Sequence, residues 1–78
     1  MTLHQQAARS LARQELLDAL LLLRRAVVHT RAAASALRDD PAVNPLANQI
    51  ALATATLDGQ IAILNVVRGQ IPRETETP

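Results

Sequence analysis

Leu16-Leu17-Asp18-Ala19-Leu20-Leu21-Leu22-Leu23-Arg24-Arg25-Ala26-Val27-Val28-His29-Thr30-Arg31-Ala32-Ala33-Ala34-Ser35-Ala36-Leu37-Arg38 is the stretch whose reading decides the fold. It contains no Pro or Gly, and strong helix formers fill nearly every position. Leu16, Leu20, Leu23, Val27, Thr30, Ala34 and Leu37 follow one another in alternating steps of four and three, which sets all of them along one stripe of a helix. The same composition extends back to Leu3, so the spacing predicts a single helix from about residue 3 to residue 38. At about 1.5 Å per residue such a helix is roughly 50 Å long, far more than a globule of this size needs.

The helix is expected to stop near Arg38, because Asp40 precedes Pro41 and a residue before proline is pushed out of the helical region. Asn44-Pro45 then restarts it, Asn serving as the cap and Pro as the first helical residue. Residues 39–44 read as a short connector, and short connectors make antiparallel neighbours. The second helix is expected over about residues 45–68, with Gly69 as a left-handed stop and Pro72 preventing any restart. Its main stripe reads Leu46, Ile50, Ala53, Leu57, Ile61, Leu64. The tail 72–78 has nothing to bury and is expected to be disordered. Residues 2–13, which overhang the shorter helix, are expected to fray. The fold class is therefore all-α: an antiparallel two-helix hairpin over residues 1–71, completed by self-association or by a helical partner.

Composition narrows the function. The chain has 78 residues, 49% of them hydrophobic, with no Phe, Tyr, Trp or Cys. Disulfide scaffolds, cysteine metal sites and aromatic base-stacking platforms are excluded. The eight basic residues, all Arg, face seven acids for a formal net charge of +1, without the one-sided basic field expected of a nucleic-acid binder. Leu16 to Leu23 is broken by Asp18 and followed, not preceded, by positive charge, which speaks against a signal peptide. Asn48, Gln49, Asp58, Gln60 and Asn65 speak against a membrane span in the second half. A soluble, cytoplasmic chain with no membrane and no nucleic-acid partner is expected.

Constellations that could carry chemistry have plainer readings. His4 and His29 are far apart and lack other ligands, so they read as surface or boundary residues. Asp39 and Asp40 read as turn formers, and Glu15 with Asp18 as a solvated face. Arg24, Arg31 and Arg38 recur every seven residues and read as a charged edge beside the helix–helix seam. Asp58 is the one acid of the second helix and a candidate partner for such an Arg. A phosphate loop, a nucleophile with its base and a dinucleotide fingerprint are all missing from the sequence. No enzyme activity, cofactor or metal is expected.

What remains is more apolar surface than two helices can cover. Leu20 to Leu23 point in every direction, and Leu52, Thr56, Gly59, Ile63 and Val66 lie well round the second helix from its main stripe, with Gly59 offering close approach to another backbone. Leu17, Leu21, Val28, Leu52, Ile63 and Val66 are the candidate partner-binding residues, left over once the seam is closed.

The run Asn48-Gln-Ile-Ala-Leu52 through Asp58-Gly-Gln-Ile-Ala-Ile-Leu-Asn-Val-Val-Arg68 resembles the second helix of the small hairpin co-chaperones of bacterial type III secretion systems, over about a third of the chain. The resemblance implies a cytoplasmic protein that pairs with a larger helical-repeat chaperone, the two holding the needle subunit before export. Needle subunits themselves also resemble two helices joined by a Pro-containing turn, but they carry aromatic and lysine residues along the second helix that this sequence lacks. The alternative from the residues alone is a small homodimeric four-helix bundle, a regulator or phage-encoded inhibitor that binds a partner's helix groove.

Overall fold

The structure, a computed structural model, describes residues 2–73. It is an antiparallel pair of helices, α1 over Leu3–Leu37 and α2 over Asn44–Gln70. The start of α1 is closed by a capping box. The Thr2 hydroxyl accepts the Gln5 backbone N–H at 3.1 Å, and the Gln5 side-chain oxygen accepts the Thr2 N–H at 3.0 Å. The expected fraying of residues 2–13 is therefore opposed locally, and Arg13 is also tied to the other helix, its Nη1 donating to the Ile71 carbonyl at 3.2 Å.

Asp40 organises the turn. Its carboxylate accepts the Ala42 N–H at 3.0 Å, and its carbonyl accepts the N–H groups of Val43 and Asn44 at 3.1 and 2.8 Å. Pro41, which has no N–H to satisfy, sits inside this loop at no cost. Val43, not Asn44, holds the cap position of α2 and makes no side-chain capping bond, while Pro45 lies in the first turn. The Val43 carbonyl accepts the Leu46 N–H at 2.9 Å, so the first turn begins one residue earlier than expected and Asn44 lies inside the helix.

The far end of α2 also departs from expectation. Gly69 is not a left-handed stop: no glycine among the described residues has positive φ, and α2 runs on through Gln70. Termination falls at Ile71, which is extended and precedes Pro72, so it is the residue-before-proline restriction that ends the helix. Most of the tail expectation lies outside the described residues, in 74–78.

The Thr30–Thr54 and Arg13–Ile71 hydrogen bonds fix one register, in which each step forward along α1 is a step back along α2. Leu20 then lies opposite Leu64, Leu23 opposite Ile61, Val27 opposite Leu57, and Ala34 opposite Ile50. The α1 stripe is as expected: Leu20, Val27 and Ala34 are buried, and Leu16, Leu23, Thr30 and Leu37 are half-buried between them. The α2 stripe is shifted in part. Ala47 and Thr54 are buried, whereas Leu46 and Ala53 are exposed. A straight seam needs the strict alternation Ala47, Ile50, Thr54, Leu57, Ile61, Leu64, Arg68, and that phase outweighs the larger side chain at Leu46.

The result is a rod one layer thick, with extents of 60 × 15 × 14 Å. Its accessible surface is 5818 Å², about 1,200 Å² more than the roughly 4,600 Å² of a compact globule of this mass.

Candidate interaction surface

The seam divides the hairpin into two flanks of different chemistry. Arg24, Arg31 and Arg38 each stand four residues after a buried α1 residue, and together they line one flank. On α2 the same flank carries Ala51, Asp58 and Asn65, each four residues after a seam position. Arg31 Nη2 meets Asp58 Oδ2 across it at 3.1 Å. Both side chains are well exposed, so the pair contributes about 0–1 kcal/mol. Between Arg31, Arg38 and Asp58 opens a shallow cleft of about 420 Å³, its floor formed by Ala34 and Thr54.

On the opposite flank every residue just before a buried α1 position is alanine: Ala19, Ala26 and Ala33. Across from them α2 presents Leu46, Ala53, Gln60 and Val67, each one residue before its own seam position. Leu22 stands beside the alanines at 64% exposure, and Leu46 and Val67 are exposed by 48% and 41%. Along the length shared by the two helices this flank carries one charged group, Glu15, near its open end.

Of the six candidate partner residues, Leu21, Val28, Leu52, Ile63 and Val66 are exposed, by 55%, 64%, 71%, 55% and 60%, and Leu17 is half-buried. At about 100° per residue they do not form one patch. Leu17, Leu21 and Val28 lie toward the arginine flank, Leu52 and Val66 on the back of α2, and Ile63 toward the uncharged flank. Sequence reasoning passed over Leu22, Leu46 and Val67. Leu46 was assigned to the seam, and the flank's signal, alanine preceding each buried residue, is visible only once the buried residues are known.

His4 and His29 are exposed, and no group of three or more His, Asp or Glu among the described residues is placed to hold a metal ion. Gly59 faces open space, with nothing within 4 Å of where a Cβ would sit. Arg68 occupies a seam position opposite Leu16, and its Nε is buried without a hydrogen-bond partner. By length and composition alone α2 qualifies as a membrane-crossing helix, although Asp58 stands near its middle, paired with Arg31. No protein-family model, curated protein or solved structure matches this chain.

Proposed function

We propose that this chain is a non-enzymatic protein-binding module that completes its helical core against another helical chain. One observation carries the reading. Among the described residues ten large hydrophobic side chains are exposed, from 41% to 84%, while the buried set comprises Leu20, Val27, Ala34, Ala47 and Thr54. Two helices in a single layer have no third surface on which to close such faces, and apolar area of this extent on a small chain marks an interaction site.

The partner class follows from the resemblance of the second helix to type III secretion co-chaperones. On that reading the hairpin works in the cytoplasm, pairs with a larger helical-repeat chaperone, and with it holds the needle subunit before export. Leu17, Leu21, Val28, Leu52, Ile63 and Val66 supply the docking contacts.

The test is co-expression of the tagged full chain with such a repeat chaperone and needle subunit from one secretion system, followed by size-exclusion chromatography. Co-elution of all three, weakened by Ile63→Asp at unchanged hairpin helicity, is the expected result. A chaperone and needle subunit that elute together and leave the hairpin behind would overturn the reading.

A further inference from the structure

Beyond that reading, we propose that a second copy of this chain packs on the uncharged flank, forming a four-helix bundle of two hairpins. The occupant is chosen by three features of the flank: its charge, its relief and its area.

Charge separates the two flanks. A copy placed on the arginine flank would bring Arg24, Arg31 and Arg38 of both chains together with only one Asp58 from each, a like-charge contact that disfavours pairing. On the other flank Ala19, Ala26, Ala33, Leu46, Ala53, Gln60 and Val67 carry no charge, and the one charged group, Glu15, stands near the open end, so a copy meets no repulsion over most of its length.

Relief favours a copy in particular. Next to the seam the α1 side of the flank is small, built of alanines with Leu22 standing further out, whereas the α2 side carries Leu46 near one end and Val67 near the other. In a two-fold pair α2 of one hairpin lies over α1 of the next, so large side chains meet small ones twice by the same operation. The patch is thereby complementary to itself.

Area closes the argument. Along α2, about 40 Å of helix and a rod about 15 Å wide give a footprint of roughly 600 Å² before side-chain relief is counted. A stable interface takes about 800 Å² of accessible surface from each partner, which a projected footprint of roughly 600 Å² approaches once side-chain relief is added. Leu21, Val28 and Val66 stay outside this contact and remain available to a different partner.

Light-scattering mass across a hundredfold concentration range, with helicity recorded on the same samples, tests the proposal. The full chain is expected at twice its monomer mass of 8.4 kDa. Leu22→Glu places a charge on the flank at a residue already 64% exposed, so the hairpin keeps its helices while the dimer dissociation constant rises about tenfold or more. Gln60→Glu, nearly isosteric, is expected to weaken the dimer in the same direction. Val28→Glu, toward the other flank, leaves the mass unchanged. A monomer mass at every concentration overturns the proposal, and so does dissociation by Val28→Glu with Leu22→Glu still dimeric.

Discussion

Thr54, 5% exposed, is hydrogen-bonded to Thr30 across the seam with 2.7 Å between the two hydroxyl oxygens, a polar layer set between Val27–Leu57 and Ala34–Ile50. The Thr30 oxygen also lies 3.1 Å from the Val27 carbonyl, and the Thr54 oxygen 2.9 Å from the Ile50 carbonyl. Each hydroxyl has one proton. One therefore bridges to the other helix while the other bonds its own backbone, and no oxygen is left without a partner. Thr54→Val is expected to cost about 1 kcal/mol, because Thr30 keeps its backbone acceptor and loses only the cross-helix bond. Thr30→Val with Thr54→Val should recover most of that loss. A double-mutant cycle by thermal melting measures the coupling, and simple additivity of the two singles would refute the bridge.

Adjacent leucines should behave as opposites. Leu20 is 0% exposed and Leu21 55%. Leu20→Ala should destabilise the hairpin by about 2–4 kcal/mol through lost burial and the cavity left behind, and Leu21→Ala by less than about 0.5 kcal/mol. Equal melting temperatures for the two variants would mean that the seam is not where the structure places it.

The two glycines offer a gain. Gly59 and Gly69 lie within α2, neither has positive φ, and both face open space. Gly59→Ala and Gly69→Ala should each stabilise by about 0.5–1 kcal/mol, since a helical glycine gives up backbone entropy and receives no contact in return. Destabilisation by Gly69→Ala would restore the left-handed stop that the sequence suggested.

The ion pair of Arg31 with Asp58 should matter little to the fold. With side chains 65% and 48% exposed, Asp58→Asn is expected to change stability by about 0–1 kcal/mol, and less at high salt. Chemical denaturation at two ionic strengths checks this, and a salt-independent loss well above that range would refute the assignment.

The α1 stripe was fully legible from Leu16 to Leu37 because its apolar residues coincide with its phase. On α2 the two criteria conflict. Leu46 outweighs Ala47 in apolarity, and Ala53 outweighs Thr54, so a reading by hydrophobicity slips a residue where alanine and threonine are the buried pair. Threonine there is satisfied by the Ile50 carbonyl of its own helix and by Thr30 opposite, and the second relation depends on inter-helix register and is absent from either helix read alone. The ends were misread for a similar reason: the Val43 carbonyl accepts the Leu46 N–H and moves the cap one residue before Asn44, and Pro72 acts on Ile71 before Gly69 has any need to turn. The docking residues were chosen as whatever the seam left over. That rule finds exposed leucines but does not sort them by flank, which requires the pairing of Arg31 with Asp58 to orient the two helices.

The seam of this molecule is a single file of cross-helix pairs, each bounded only by the pair above and the pair below. Damage at one rung has no lateral neighbour through which to spread, so paired substitutions such as Leu20→Ala with Ile50→Val, several rungs apart, should sum in their effects, while those on touching rungs should not. In its response to mutation the hairpin resembles a ladder more than a globule, and a ladder's weakest rung can be found by testing the rungs one at a time.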